Sequence, residues 1–225
     1  MYLPPSYIST PPFMLTDHSV SYVHSTPGGD ELVAYMARVS NPSNQDNTKT
    51  SAKLIKYLVD HHHWSPFEMV SMCVEINTTR SVAAQILRHR SFSFQEFSQR
   101  YSEVELLGSP LQPEFRLQDV KNRQNSIDGT IAGESWYRKE IDDHYKTALS
   151  IYNRLLQKGV AKEVARDILP LSCPTRLYMH GTLRSWIHYV QLRCGNGTQR
   201  EHQHIAEQVS ELIAQYFPQI AGAVL

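Results

Sequence analysis

MVSMCVEI, residues 69–76, decides the fold class. Its apolar side chains Val70, Met72, Val74 and Ile76 alternate with Ser71, Cys73 and Glu75. A period of two belongs to a strand with one face against a core. On either side the period becomes helical. Downstream, residues 81–88 carry Val82, Ala83, Ile86 and Leu87; upstream, residues 50–62 set Leu54, Ile55, Leu58 and Val59 on one face. Earlier still, ELVAYMARVSN from residue 31 reads as a shorter helix, followed by turn material.

The C-terminal half repeats this mixture. Residues 134–158 predict the longest helix, with Trp136, Ile141, Tyr145, Ala148, Leu149, Tyr152 and Leu156 inward and Gly159 as its stop. Residues 160–169 read as a short helix ended by Pro170, and TRLYMHG at 175–181 as a strand. Thr182 then caps a helix running to about Arg193. A last helix begins at Thr198, where Glu201 completes a capping-box pattern and Ile205, Val209, Leu212 and Ile213 point inward. The expectation is a single α+β domain over residues 1–225, a mixed or antiparallel sheet flanked by helices. An arm at 1–29, with four prolines in its first twelve residues, should be extended. Residues 108–135 form a long polar loop without an assignable role.

Composition narrows the function. The 225 residues contain 22 Lys and Arg against 22 Asp and Glu, which argues against wrapping a long polyanion. Within the basic set, 14 Arg outnumber 8 Lys, and the planar guanidinium fork suits compact anions such as phosphate. Cys73, Cys173 and Cys194 are too scattered for a disulfide framework or a zinc ribbon. No apolar run approaches the roughly 18 residues of a membrane span, and the N-terminus lacks signal-peptide character, so a cytoplasmic protein is expected.

The densest chemistry lies in QILRHRSFSFQEFSQRY, residues 85–101. Arg88, His89 and Arg90 end an apolar helix; Ser91, Ser93, Glu96, Ser98 and Arg100 follow. Forked cations with short hydroxyls suit a nucleotide phosphate. The same cations would also complement a helix C-terminus. Read as basic–aromatic interleaving, RHRSFSF suggests instead a module that stacks single-stranded nucleic acid; zero net charge and a single basic focus weigh against that. His61, His62 and His63 invite a metal reading, but neighbours on a helix diverge by about 100° and cannot share an ion. No metal is expected.

Spacing adds a resemblance. Arg88-His89-Arg90, seven residues and then Ser98 resembles the signature of flavin-dependent thymidylate synthases. His63, Ser65, Pro66, Phe67 and Glu68 are similar to that family's preceding segment. EVARDILPLSCPTR (163–176) and the run from Leu183 through Arg193 to Gln199 resemble its later blocks, in family order. The resemblance implies reductive methylation of dUMP to dTMP, with methylenetetrahydrofolate as carbon donor and NADPH as reductant through FAD. It implies an FAD site that is not a Rossmann domain, in agreement with the lack of a GxGxxG motif, and a homotetramer whose subunits share sites.

By that similarity, FAD contacts fall on Ser65, Arg88, His89, Arg90, Glu96, Thr182, Leu183, Arg184 and His188. Contacts to dUMP fall on Gln85, Ile86, Leu87, Arg88, Glu96, Phe97, Ser98, Gln99, Arg100, Arg166 and Arg193. His63 is placed at the folate or flavin edge. Arg193 is placed where its fork stabilises charge on the pyrimidine; taken alone, an Arg at a helix end serves the dipole. Arg166 would hold phosphate, unless it pairs with Glu163. Ser98 lacks an obvious activating base and is expected to contact ligand rather than to attack it, so no covalent enzyme–pyrimidine bond is expected. Thr182 and His188 stand where many relatives carry Asn, Gln99 where many carry Gly, and Met69 where many carry His.

Overall fold

The alternating segment becomes β2, Ser71–Thr79, in a computed structural model that describes residues 17–195 and 197–225. β2 is central. It pairs antiparallel with β1 (Ser19–Ser25) on one side and β6 (Pro174–Thr182) on the other, and β6 pairs antiparallel with β3 (Ser93–Glu96). The sheet order is therefore β1-β2-β6-β3, and every pairing is antiparallel. Met72, Val74 and Ile76 of β2 and Leu177 and Met179 of β6 face the core. The opposite face is polar: Glu75 accepts from the Tyr178 hydroxyl at 2.8 Å and from Asn77 at 3.1 Å.

Helices close the apolar face. α1 (Gly29–Ala37), α2 (Ser51–Asp60) and α3 (Arg80–Ile86) precede α4 (Glu134–Gln157) and α5 (Lys162–Ala165). α6 (Leu183–Arg193), α7 (Arg200–Tyr216) and α8 (Pro218–Val224) complete the chain. Trp186 of α6 is fully buried and its indole N–H donates to the Met72 carbonyl at 3.0 Å, fixing helix to sheet. Gly29 admits no side chain, since a Cβ there would stand 2.4 Å from Phe217.

Several expectations need correction. Residues 1–16 of the predicted arm lie outside the described residues, but the rest of it contains β1. A bulge between Tyr22 and His24 breaks the alternation that would have revealed that strand. Trp136 is exposed and stacks edge-on with Tyr137 at 4.8 Å; α4 buries only Ala148 and Tyr152 fully, against Val104, Ala165 and Cys173. The capping box at Thr198 does not form. α7 starts at Arg200, and the Glu201 carboxylate is taken by Arg116 and Gln199. The predicted loop 108–135 contains a small hairpin, β4 (Leu117–Gln118) with β5 (Ser126–Ile127), and ends in the first turn of α4. His61, His62 and His63 follow α2 rather than lying on it, with His62 at φ 56 turning the chain.

Candidate active site

α3 delivers the basic triplet. It begins at Arg80, whose guanidinium grips Glu96 at 2.5 Å, while Thr175 donates to the same carboxylate at 2.8 Å. It ends beside Arg88-His89-Arg90, where His89 N–H bonds the Ile86 carbonyl and the chain turns into β3. Phe92 then enters the core, edge-on to Trp186 at 4.6 Å. A Cβ on Gly181 would meet the Phe92 ring at 2.5 Å, so a glycine is needed where β6 passes it. Phe92 is buried in the core, which takes its ring off any base-stacking platform, and Phe94 is partly buried against the same core.

The α6 N-terminus forms the facing wall. Thr182 caps it as expected, accepting from Ser185 N–H at 3.3 Å. Arg184 and His188, one turn apart, line the same pocket of about 400 Å³ with Trp64, Glu68, Ser91 and Ser185. Glu68 and Arg184 form an ion pair across it. Arg88 and Arg90 carry no ion pair or side-chain hydrogen bond to the described residues. Leu183 serves differently: its side chain is buried and its N–H donates to the Val70 carbonyl at 2.8 Å. His63 and Ser65 are exposed, bracketing Trp64.

At the other end of α6, Arg193 Nε donates to His89 Nε2 at 2.9 Å. His89 must be neutral to accept. Burial, followed by the positive charge of Arg193 and by His188, lowers its pKa to about 4. Behind it, the Tyr189 hydroxyl lies 3.1 Å from Nε2 of His202, whose ring is fully buried and whose Nδ1 has no partner among the described residues. Burial, then Arg193 and His89, lowers His202 to about 3. Sequence reasoning does not bring Tyr189 and His202 to the site. A signal exists for one of them: His202 falls on the inward stripe of α7 with Ile205, Ala206, Val209 and Ile213.

The rest of the expected nucleotide set gathers elsewhere. Ser98, Arg100, Tyr101, Lys162 and Glu163 surround a second pocket of about 360 Å³. Arg100 pairs with Glu163 at 2.8 Å, so the alternative Arg166–Glu163 pairing is not made, and Arg166 has no ion pair among the described residues. Gln99 turns inward, with Nε2 buried and unpartnered among the described residues. No histidine or carboxylate is hydrogen-bonded to the Ser98 hydroxyl among the described residues. Glu96 sits opposite Leu177 near the start of β6, whereas Thr182 ends that strand. At about 3.3 Å per residue the two ends stand on the order of 17 Å apart. One chain therefore holds Thr182, Arg184 and His188 well away from Ser98 and Arg100.

The family model described as thymidylate synthase complementing protein matches residues 21–219. The chain belongs to this family, that of the flavin-dependent thymidylate synthases. A probable flavin-dependent thymidylate synthase of Paramecium bursaria Chlorella virus 1 is 52% identical over 196 residues, covering 87% of this chain and 90% of that one. The flavin-dependent thymidylate synthase of a Synechocystis species is 49% identical over 197 residues, covering 86% and 88%. Among solved structures, the UMP/dUMP methylase PolB from Streptomyces cacaoi, bound with 5-Br dUMP, superposes with a TM-score of 0.83 at 29% identity over 94% of this chain and 96% of that one. In this member of the flavin-dependent thymidylate synthase family, the signature histidine and arginines adjoin the helix that begins at Leu183. The lining of that pocket, the Arg184 guanidinium with serine hydroxyl, imidazole and indole groups, suits a cofactor carrying a phosphate and a flat ring, and the unpaired Arg88 and Arg90 precede its Ser91 in the chain.

Proposed function

We propose that the chain catalyses the reductive methylation of dUMP to dTMP, taking the carbon from methylenetetrahydrofolate and reducing equivalents from NADPH. The observation that carries this reading is that the signature turn, with unpaired Arg88 and Arg90, leads into Ser91 of the pocket walled by Arg184 and His188, within a family-matched chain. These residues would hold FAD, with Thr182 and Ser91 supplying short polar contacts. FAD supplies the hydride relay between NADPH and the pyrimidine.

The chain's own residues do the rest. Arg193, held by neutral His89, presents its remaining N–H groups to a pyrimidine carbonyl and stabilises the charge that develops there. Arg100 and Arg166 neutralise the phosphate, with Arg100 exchanging Glu163 for ligand. Ser98 donates to the nucleotide and forms no bond to carbon, because no base adjoins it. The separation along β6 supports a site built between subunits of a homotetramer: Arg100 and Arg166 of one copy would meet Arg193 and Gln85 of another. Apolar side chains exposed around that segment, Val164, Ile168 and Leu171, favour burial against a second copy.

The test is anaerobic reduction of the flavin-loaded protein by NADPH, followed by dUMP and methylenetetrahydrofolate. Flavin reoxidation with dTMP formation, dependent on both additions, is expected. Protein that retains no flavin, or reoxidises without making dTMP, overturns the proposal.

A further inference from the structure

Away from the residues used above, one arginine is buried without a carboxylate. Arg38 closes α1 and is 7% exposed, yet among the described residues its side chain donates only to the Thr50 hydroxyl, from Nη2 at 2.9 Å. A buried cation usually has an anion beside it, because its lost hydration is otherwise uncompensated. The free nitrogens of Arg38 are not enclosed, so they face open space. That space is a cavity of about 460 Å³, lined also by Lys53, Asn41, Asn44, Thr50 and Tyr57. It holds two cations and no carboxylate, and Lys53 has no ion pair among the described residues. Glu31 and Asp46 line a neighbouring pocket that also touches Arg38, but neither pairs with it.

This cavity is joined to the proposed flavin pocket by a row of aromatic rings. Lys53, Tyr57 and His61 recur every four residues along α2 and its C-terminus, so they share a stripe about 12 Å long. The Tyr57 ring stacks on His61 at 3.9 Å. His62, left-handed at φ 56, then reverses the chain: its N–H returns to the Val59 carbonyl at 3.0 Å, and that of His63 to the Leu58 carbonyl at 2.8 Å. The reversal brings the His63 ring edge-on to Tyr57 at 6.1 Å. Trp64 follows, on the wall of the pocket that holds Arg184 and His188. Aromatic faces thus lead from that pocket to a cavity with two uncompensated cations.

We infer that the cavity between α1 and α2 takes the glutamate carboxylates of the folate co-substrate, with Arg38 and Lys53 as the binding cations and Tyr57 beside the aminobenzoyl ring. This rests on the proposed function, in which methylenetetrahydrofolate is the carbon donor. A folate carries what the path requires: a flat pterin, an aromatic linker and a terminal glutamate with two carboxylates. The guanidinium fork suits one carboxylate, and the lysine supplies a point charge for the other. Two cations from different helices suit two carboxylates better than a single compact phosphate.

Removing the glutamate tests this directly. Binding of tetrahydrofolate and of tetrahydropteroate, which ends at the aminobenzoate, is measured by anaerobic calorimetry on the flavin-loaded wild type, Lys53→Gln and Arg38→Gln. The NADPH concentration that half-saturates flavin reduction is measured on the same proteins. Lys53 is exposed, so Lys53→Gln should fold even if Arg38→Gln does not. The wild type is expected to bind tetrahydrofolate more tightly than tetrahydropteroate. Lys53→Gln should weaken tetrahydrofolate about 3–5-fold, as an exposed charge pair would. Arg38→Gln should weaken it about 10–100-fold, as charge-assisted hydrogen bonds in a buried setting would. Neither variant should change tetrahydropteroate binding or the NADPH requirement. Equal affinity of the wild type for the two folates refutes the inference. So do variants that weaken both folates alike, the mark of a structural role, or that weaken NADPH alone, the mark of a phosphate site. Failure of the wild type to bind either folate would overturn the proposed function, and the inference with it.

Discussion

Replacing His202 with glutamine should flatten the acid limb of the protein's stability. His202 is fully buried and His89 partly so, and both are held neutral, at about 3 and about 4 against an ordinary 6.5. Folded pKa values below the unfolded value mean that the unfolded chain binds the extra protons. The stability in question is intact above pH 6.5 and is lost as pH falls from 6.5 toward 4 and then 3. The loss accrues at about 1.4 kcal/mol per pH unit for each ring, so His202 alone forfeits about 2 kcal/mol by about pH 5. His89 contributes less, since part of its ring meets solvent.

Glutamine at 202 keeps a partner for the Tyr189 hydroxyl and cannot titrate. Urea unfolding at about pH 7.5 and about pH 5, at one protein concentration, compares the two proteins while every other titrating group cancels. The wild type should lose about 2 kcal/mol more between those conditions than His202→Gln does. Equal losses in the two proteins would mean that His202 is charged or solvated in the folded state, and the buried neutral pair behind Arg193 would have to be abandoned.

Other expectations are simpler to state. Ser98→Ala should still form dTMP, with turnover reduced by about one hydrogen bond's worth, roughly tenfold; complete loss of dTMP with normal dUMP binding would restore a nucleophilic role. Arg193→Ala and Arg166→Ala should each be inactive alone, yet a mixture unfolded and refolded together should regain dTMP formation, because some sites would draw both arginines from intact copies. No recovery on mixing would place both arginines of a site in one chain. Gly181→Ala should cost about 1–3 kcal/mol in thermal or urea unfolding, since its Cβ meets the Phe92 ring at 2.5 Å and that ring is wedged on Trp186. An unchanged midpoint would show that Phe92 has room to move.

The parts legible in the sequence are those where one local signal acts without competition. β2 alternates because one face meets the core, and α6 starts at Thr182 because its hydroxyl meets Ser185 N–H. Where tertiary contacts override a local signal, the reading fails. Glu201 has the spacing of a capping box, but Arg116, distant in sequence, offers a charged partner that a backbone N–H cannot match. Trp136 has helical spacing, but little covers the first half of α4 in one chain. Spacing finds the signature residues and misses their supporters: Arg80, Tyr189 and His202 act through contacts 13 to 16 residues away or more. His202, two residues from His204, has the wrong spacing for a shared metal, yet its place on the α7 stripe marks it as buried.

The arginines show how a neutral chain keeps a cationic site. Arg80 and Arg116 are tied to half-buried carboxylates and serve the fold. Those in the signature blocks are treated otherwise. Arg88, Arg90 and Arg166 lack ion pairs among the described residues, Arg100 and Arg184 have exposed carboxylate partners, and Arg193 is held by a neutral imidazole. The distinction follows from what ligand binding costs. A buried ion pair must be broken before its guanidinium can accept a phosphate, which leaves a carboxylate unpaired in low dielectric. An exposed pair gives up about 1 kcal/mol or less. A neutral acceptor such as His89 aims Arg193 while leaving its positive charge uncompensated, so the full charge remains available to an anionic ligand. Holding His89 neutral therefore matters as much as Arg193 itself, and charging the ring as pH falls toward its pKa of about 4 would remove the acceptor that aims the guanidinium.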